Sequence, residues 1–599
     1  MKPFIIFFIG LFCFVSYSQS DLDLAELYYD NGEFKKALYL FKKLQASQPN
    51  NSNYTFKVIK IYQELEKFES SDSLINSQLT KSRNPQYLVE LGYNYQLQNK
   101  LDSATVYYNQ AINKAKEIPS FSYSIALKFE DHTLVEQAIE VYKLAILQTK
   151  NSSYCYRLAG LYAIKKDIKN MFLNYLNFTE HNEGFNNQIL QLFSDYVTED
   201  SNSNYNQILK KIILKKLQSS SNPFWNQTLS WLYVQEKEYK KALLQQKSIC
   251  RRNPNSLQGV IDVAWLAIEN KDYSVSVSAF EFIVEMAKEP NIVLDAKLQL
   301  LKLDLLRFKS PDYNIISSQF LTLINRYGIK DSTLDLQLSY VDFLLDNLNK
   351  QDDAANFLKD NLKVKMSKIN LAKIKIKLAD ILLRQEQFNR ALVFYTQAQS
   401  QIKNSSLAQE ARFKAAKTSY FKGDFEWAEA QLKVLKSSTS QLIANDALEL
   451  HLMITDHKLG DSLQSALRIY SRADMLRLQK RPSKAINLLD TLITTYPNNP
   501  IVDQALLLQG RLMENIGNYL GAIEKYQKII HDFSTEILAD DAYFDLAELY
   551  RTVLNMPQKA KDCYEKIIFD YQDSIHVVES TKQYRYLKSK LKNTSEIQL

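Results

Sequence analysis

Carboxylates are the commonest side chains here that could act as acids, bases or nucleophiles. The densest cluster is Asp540, Asp541, Asp545 and Glu548, a spacing that on a helix is typical of a solvated face and a helix start. The motifs G-x-S-x-G, H-E-x-x-H and C-x-x-C are missing from the sequence, as is a glycine-rich phosphate loop. The sequence therefore predicts a protein that is not an enzyme and binds no cofactor.

Histidines and cysteines show no ligand spacing either. His451 and His457, the nearest two of six histidines, are six residues apart and so fall on different faces of a helix. Cys155, Cys250 and Cys563 lie far apart among apolar residues, which does not fit a disulfide framework. We expect no metal site, and we expect these cysteines to be small buried side chains.

The elements that carry these residues are predicted to be helices. Only 12 of the 599 residues are glycine and 12 are proline, while 46% are hydrophobic. Sheets joined by many turns need more glycine and proline, and a chain of this length exceeds one compact core. The formal net charge of +7 is mild, and it neither requires nor excludes an acidic partner.

The first residues are typical of a secretory signal peptide. Lys2 supplies a positive charge, residues 4–15 form an apolar run, and Ser16 and Ser18 are small residues at the cleavage positions. We predict that residues 1–18 are removed and that the mature chain, which has no comparable apolar run, contains no transmembrane span. The predicted location is the periplasm, with outer-membrane association as an open alternative.

Two other interpretations of this segment remain. An uncleaved membrane anchor would need about 20 apolar residues to cross a bilayer, and the run is shorter. A lipoprotein would be modified at Cys13, where the preceding Phe12 is bulkier than such signals favour.

A repeated spacing of small and large residues organises the chain. A small residue precedes an aromatic one by four positions, and a second small residue lies twelve positions before the first. Two antiparallel helices need such small residues where their backbones approach, and large residues in the next layer. The sets are Ala25, Ala37 and Phe41; Gly92, Ala104 and Tyr108; Ala126, Ala138 and Tyr142; and Ala379, Ala391 and Tyr395.

The spacing between units gives the period. Ala37, Ser71, Ala104, Ala138 and Met171 follow one another at intervals of 34, 33, 34 and 33 residues. A period of about 34 residues is typical of the tetratricopeptide repeat (TPR), and the segment YLVELGYNYQLQNKLDSATVYYNQAINKAKEIP has the small and large residues of that family. The chain resembles the TPR family over most of its mature length. This resemblance implies an all-α, right-handed superhelical solenoid of antiparallel helix pairs, in two or more segments.

Later units are longer. Ala485, Ala522 and Ala560 are 37 and 38 residues apart, and the gap of 57 between Ala428 and Ala485 predicts an inserted helix near residues 443–457. The last third resembles the long TPRs of envelope proteins, such as the assembly lipoproteins of the Bam machinery and the periplasmic partner of the Tol-Pal system. The residues that carry this resemblance are Tyr496, Pro497, Gly510, Gly517, Tyr519, Ala522, Tyr526, Ala547, Tyr550, Ala560 and Tyr564. It departs from that pattern at Ser534 and Gln572, where a proline is expected.

These patterns predict the organisation of the whole chain. After the signal peptide we expect a TPR array over residues 19–178, an irregular helical or loop segment over 179–222, and a middle array over 223–440 that is degenerate at 290–368. A long-period array over 441–580 and a basic tail over 581–599 complete the chain.

Tyrosine and lysine are the side chains that could form a binding surface. Nine of the 37 tyrosines fall on positions that the repeat packs internally, where the ring is buried and the hydroxyl stays near water. These are Tyr95, Tyr108, Tyr142, Tyr162, Tyr175, Tyr395, Tyr526, Tyr550 and Tyr564. A basic stretch comprises Lys363, Lys365, Lys368, Lys373, Lys375 and Lys377; we interpret it as a solvated helix face, with contact to an anionic partner as the alternative.

In a TPR array the first helices of successive pairs line a groove that binds extended peptides or partner helices. The register places Arg477, Arg511, Glu514, Glu548 and Arg551 on that surface, and their mixed charge suits a polypeptide. We predict a non-enzymatic periplasmic scaffold that binds proteins or extended peptides of the cell envelope, in assembly or maintenance of an envelope complex, and not nucleic acid. The alternative is direct binding of wall polymer or another glycan, with peripheral contact to membrane or wall.

Overall fold

The computed structural model describes residues 21–220, 222–436, 440–458 and 464–596. The predicted signal peptide, residues 1–18, lies outside these residues. The described part is built of helices and contains no strand, which confirms the prediction of an all-α protein. It divides into two compact units, one ending at Leu303 and the other beginning at Asp304.

The first unit consists of short helices joined by turns. Its helices are α1 (21–30), α2 (Phe34–Ser47), α3 (Ser52–Glu64), α4 (Phe68–Ser82), α5 (Gln86–Leu97), α6 (Leu101–Glu117), α7 (Ser122–Asp131), α8 (Val135–Thr149), α9 (Ser153–Ile164), α10 (Ile168–Thr179), α11 (Asn186–Ser194), α12 (Asn204–Ser219), α13 (Pro223–Gln235), α14 (Tyr239–Arg252), α15 (Gln258–Glu269) and α16 (Tyr273–Met286). The next helix, α17 (Pro290–Arg307), contains the division between the units.

The second unit is built in the same way. Its helices are α18 (Tyr313–Tyr327), α19 (Leu334–Asp346), α20 (Gln351–Asn361), α21 (Lys368–Arg384), α22 (Phe388–Gln401), α23 (Ser406–Lys422), α24 (Phe425–Leu435), α25 (Gln441–His457), α26 (Ser465–Leu478), α27 (Pro482–Thr495), α28 (Val502–Asn515), α29 (Tyr519–Asp532), α30 (Ala539–Thr552), α31 (Pro557–Asp570) and α32 (Val577–Glu596).

Within each unit, most helices that follow one another in sequence pack as pairs, and most pairs pack on the next. The small residues lie where the sequence predicted. A Cβ atom added at Gly92 of α5 would lie 2.5 Å from Cε1 of Tyr108 in α6, and one added at Gly510 of α28 would lie 2.5 Å from Cε1 of Tyr526 in α29. A larger side chain would therefore collide with the aromatic ring of the paired helix, unless the ring moved.

A tight turn with one left-handed residue joins the two helices of a pair. Between α5 and α6 this residue is Asn99, with φ of 60°, and between α28 and α29 it is Gly517, with φ of 79°. The amide of the residue after it reaches back to a carbonyl of the last helical turn, as from Lys100 to Tyr95 at 3.0 Å. This geometry satisfies the carbonyls at the end of the first helix and reverses the chain.

The irregular stretches of the sequence are helical. The segment 179–222 contains α11 and α12, and the degenerate segment 290–368 contains α17 to α20. The long gap before Ala485 contains α25, so the prediction of an inserted helix is confirmed. At the other end, α32 runs across residue 581, where the basic tail is predicted to begin.

The core is formed by the side chains that face inward from the two helices of each pair. Of the nine tyrosines assigned to it, Tyr142, Tyr395, Tyr526 and Tyr564 are fully buried, and only Tyr95 is half-buried rather than buried. The prediction for the tyrosines is therefore confirmed in the main. Cys155 and Cys250 are buried free thiols as expected, whereas Cys563 is half-buried.

In the second unit, three turns that are distant in sequence meet in a turn cluster. The side-chain amide of Gln479 donates to the carbonyl of Arg384 and to Glu386 Oε1, both at 2.9 Å. Arg472 Nη1 lies 2.8 Å from Glu386 Oε2, and Lys480 Nζ lies 2.8 Å from Asp346 Oδ1. The turn after α26 is thereby bonded to the turns after α21 and α19.

Candidate functional site

A cleft of about 550 Å³ lies in the first unit, where the first helices of four successive pairs come together; we call it the N-terminal cleft. These helices are α1, α3, α5 and α7. Its size lies in the range of pockets that bind ligands. The lining residues are Leu22, Glu26, Phe41, Asn51, Asn53, Tyr54, Phe56, Lys57, Lys60, Glu90, Lys128, Asp131 and His132.

One side of the cleft is formed by lysines placed over aromatic rings. Lys57 Nζ lies 2.5 Å from Glu26 Oε2 and 4.7 Å from the centre of the Tyr29 ring. Lys60 Nζ lies 5.4 Å from the same ring. Burial lowers the pKa of Lys60, but the Tyr29 hydroxyl and nearby carboxylates outweigh this, so the pKa is raised and the side chain stays charged.

The other side contains a buried carboxylate. Glu90 is only 2% exposed, and its carboxylate lies 3.4 Å from Lys128 Nζ and 3.1 Å from His132 Nε2. Burial alone would raise the pKa of Glu90, but the hydrogen bond from His132 and the charges of His132 and Lys128 hold it below its ordinary value. Glu90 therefore holds Lys128 of α7 and His132 of the following turn against α5.

Aromatic rings complete this side. The His132 ring stacks on Tyr93 with centroids 3.8 Å apart, and Lys128 Nζ lies 4.3 Å from the centre of the Phe56 ring. Asp131 accepts from Lys128 at 2.9 Å and stays exposed. The cleft thus presents equal numbers of lysines and carboxylates on a largely aromatic base.

The groove residues predicted near the C-terminus lie on first helices, as the register requires, but each is bonded to a side chain of its own or a neighbouring helix. Arg511 of α28 bridges to α30 through Asp545 at 2.6 Å and Asp541 at 3.3 Å. Glu514, also on α28, accepts a hydrogen bond at 2.7 Å from the Tyr526 hydroxyl. These contacts tie neighbouring helices together.

The other three predicted groove residues are also bonded to nearby side chains. Glu548 of α30 is bonded by Arg551 at 2.5 Å and also accepts from the Tyr564 hydroxyl. Arg477 of α26 bonds Asp474, three residues earlier on the same helix. The assignment of these five residues to a partner remains a prediction.

The lysine stretch is divided by the fold. Lys363 and Lys365 precede α21, whereas Lys368, Lys373, Lys375 and Lys377 lie on it. Lys363 pairs with Asp360 at 2.7 Å, Lys377 pairs with Asp342 of α19, and Lys375 donates to Gln401 at 3.1 Å. Half of these lysines therefore have local partners, in keeping with a solvated face.

The N-terminal cleft was not identified from the sequence, although a signal for it existed. Arg511 and Glu548 directly follow the small residues of their first helices. In the first three pairs, the residues at the repeat position equivalent to Arg511 and Glu548 are Glu26, Lys60 and Tyr93. These three residues lie in or beside the cleft. The register alone could not show that Glu90 is buried, because its partners lie 38 and 42 residues further along the chain.

Replacing Tyr526 with phenylalanine tests whether these tyrosine hydroxyls hold the groove carboxylates. The ring stays in place, but Glu514 loses its donor, so we expect the free energy of unfolding to fall by about 1 kcal/mol. The pKa of Glu514, already raised by burial, should rise further because the tyrosine hydroxyl lowers it. Urea denaturation measures the first effect and carboxyl titration by NMR the second. Tyr519→Phe is the matched control, and equal behaviour of both variants would contradict this role.

Within the described part, no group of three or more histidine, cysteine or acidic side chains could hold a metal ion. Nor does any described helix combine the length and apolar character needed to cross a membrane.

Comparison with known proteins identifies the repeat in the last third of the chain. The model of the tetratricopeptide-repeat family matches residues 504–535 and 541–574. No curated protein matches the chain in sequence. Among solved structures, yeast Tom70 is similar over 84% of this chain and 99% of its own, at 14% identity and a TM-score of 0.29. The TPR domain of P58(IPK) is similar over 61% of this chain and 98% of its own, at 13% identity and a TM-score of 0.19.

The two matched segments correspond to α28 with α29 and to α30 with α31. The narrower resemblance to Bam and Tol-Pal proteins finds no match in these comparisons and stays a prediction. The helix pairs α28–α29 and α30–α31 of this chain are tetratricopeptide repeats.

Proposed function

We propose that the protein is a scaffold that binds an extended polypeptide segment of a partner protein in the N-terminal cleft. The proposed setting is the periplasm, where the scaffold would help to assemble or maintain a complex of the cell envelope. The observation that carries the binding role is the cleft itself, lined by charged side chains from four successive first helices.

The chemistry of the cleft favours a polypeptide. Lysines and carboxylates alternate across it, and Asn51 and Asn53 add amide groups that can donate to and accept from a peptide backbone. A polyanion would meet the carboxylates of Glu26, Glu90 and Asp131. Mixed charge beside aromatic rings can pair both signs of side chain and also bury apolar ones.

The setting rests on the sequence alone. Residues 1–18 have the charge, apolar run and small residues of an exported chain. The long-period repeats after residue 496 resemble those of envelope proteins. Both features support an envelope role and leave the partner to be identified.

Charge reversal in the cleft tests the binding role. We expect Lys57→Glu/Lys60→Glu to lower recovery of specific partners from envelope extracts about tenfold or more, because each lysine would become a repulsive carboxylate beside Glu26 or Asp131. A photo-crosslinking residue at exposed Asn53 should label the same partners. Quantitative mass spectrometry of captured and crosslinked proteins is the measurement.

Lys35→Glu/Lys81→Glu is the control. It changes the net charge equally, and both lysines are exposed on second helices, α2 and α4. Equal recovery with both double variants would contradict the proposal. Sedimentation with purified cell wall through the same lysines would instead favour the glycan alternative.

A further inference from the structure

Two isoleucines project from neighbouring loops of the last repeats. Ile537 lies between α29 and α30, Ile575 lies between α31 and α32, and each is 87% exposed. Each lies four residues after the aromatic residue that directly follows the preceding helix, Phe533 or Tyr571. The repeat therefore places an exposed isoleucine at the same point of two successive loops.

These loops lie side by side. The Tyr571 hydroxyl donates to the carbonyl of Ser534 at 2.9 Å, and the Tyr571 ring lies 5.7 Å from that of Tyr543 in α30. Val578, in the first turn of α32, is 81% exposed. Ile537, Ile575 and Val578 are thus three strongly exposed apolar side chains on adjoining loops and the helix start that follows, where a single exposed apolar residue would need no explanation.

Three acidic side chains lie close in sequence to these apolar residues. Glu536 directly precedes Ile537, Asp573 lies two residues before Ile575, and Asp540 lies in the first turn of α30. None of the three takes part in an ion pair among the described residues. Asp540 suits the start of a helix, whereas Glu536 and Asp573 lie in loops before the first turns, where the helix dipole does not account for them.

We propose that the loop-edge patch, formed by Ile537, Ile575 and Val578 with Glu536, Asp540 and Asp573, binds a segment of a partner protein in which apolar side chains alternate with lysine or arginine. The apolar side chains of such a segment cover the isoleucines and valine. Its cations meet the three carboxylates that have no ion pair in the described structure. This surface lies in the second unit and is independent of the N-terminal cleft.

Charge complementarity favours this occupant over two others. An anionic lipid surface attracts basic patches, and this rim is acidic. In a symmetric dimer the same patch would face itself, so that carboxylate would meet carboxylate. A basic, apolar polypeptide satisfies both the apolar centre and the acidic rim.

A labelled helical peptide built of leucine and lysine is the probe, used with the full-length protein and read by fluorescence anisotropy. We expect Ile537→Ser/Ile575→Ser to weaken binding about tenfold or more, since burying one isoleucine contributes about 1.5–3 kcal/mol. Glu536→Gln/Asp573→Asn should weaken binding and reduce its salt dependence. Both pairs of residues are exposed, so the fold should be unaffected.

Leu520→Ser is the matched control. Leu520 is 83% exposed but lies at the start of α29, at the opposite end of that helix from Ile537. Equal loss of binding with this variant, or equal binding of a peptide with glutamate in place of lysine, would overturn the proposal. Patch-dependent self-association in sedimentation velocity, or patch-dependent binding to anionic vesicles, would overturn it as well.

Discussion

Replacing Glu90 with glutamine is expected to destabilise the first unit by about 3–5 kcal/mol at neutral pH. Removing one charge of a buried pair is strongly destabilising; here His132 loses its carboxylate partner, and Lys128 keeps only its more exposed partner Asp131. Glutamine keeps nearly the same volume, so the loss reflects charge rather than packing. Urea denaturation followed by circular dichroism measures it.

The same substitution should also change how stability depends on pH. Because the folded-state pKa of Glu90 lies below its ordinary value, the ionised carboxylate stabilises the fold fully above that ordinary value. The contribution is lost as the pH falls through the lower, folded-state pKa. We therefore expect wild type and variant to converge on acidification, in denaturation curves recorded from neutral pH down to about pH 3.

Asp131→Asn provides the comparison for both measurements. Asp131 pairs with the same Lys128 but is half exposed, and exposed pairs contribute about 0–1 kcal/mol. If the two variants were equally stable, or if the Glu90→Gln effect did not change with pH, the assignment of Glu90 as the stabilising buried charge would be wrong.

Replacing Trp225 with alanine should cost about 3–5 kcal/mol, as is typical for a fully buried tryptophan. Trp225 begins α13 and is completely buried, and Lys216 Nζ of α12 lies 5.2 Å from its ring. Its core also includes Leu209 and Ile213 of α12. Loss of the ring should therefore release α11 and α12, which limited proteolysis would detect as new cleavage within residues 179–219.

Two further variants serve as controls for this prediction. Trp225→Phe should retain much of the stability, because the indole Nε1 has no hydrogen-bond partner among the described residues. Trp265→Ala, at a position 43% exposed on α15, should cost far less. An undiminished resistance of residues 179–219 to proteolysis in Trp225→Ala would show that this segment is held by other contacts.

The helix pairs were predictable because their requirements are local and recur. A small residue must lie where two helices approach each other closely, as Gly510 does beside Tyr526. Because every pair has this requirement, small residues recur in the sequence at a regular spacing. The inserted α25 was predictable for the same reason, since it interrupts the period. The segment that contains α11 and α12 was predicted only as an irregular helical or loop segment, because the repeat spacing is lost there.

The candidate site was less predictable than the fold. The position of a residue within the repeat shows which face of a first helix it occupies. It does not show which side chains that residue contacts. Glu514 and Glu548 are bonded to tyrosines of the second helices, and Arg511 to acids of the next pair. The buried position of Glu90 depends on residues from a different pair, and no spacing within one repeat encodes that contact.

The turn cluster of the second unit changes how its repeats respond to stress. In a linear repeat array each unit contacts only its neighbours, so stability follows a one-dimensional Ising description and the ends can fray independently. Lys480 and Asp346 are 134 residues apart in sequence, yet they form an ion pair. The bond from Lys480 to Asp346 and the bond from Gln479 to Glu386 join the turn after α26 to two earlier turns, so the repeats between them are coupled beyond their nearest neighbours. We therefore expect α19 to α26 to unfold more cooperatively than a linear array of the same length.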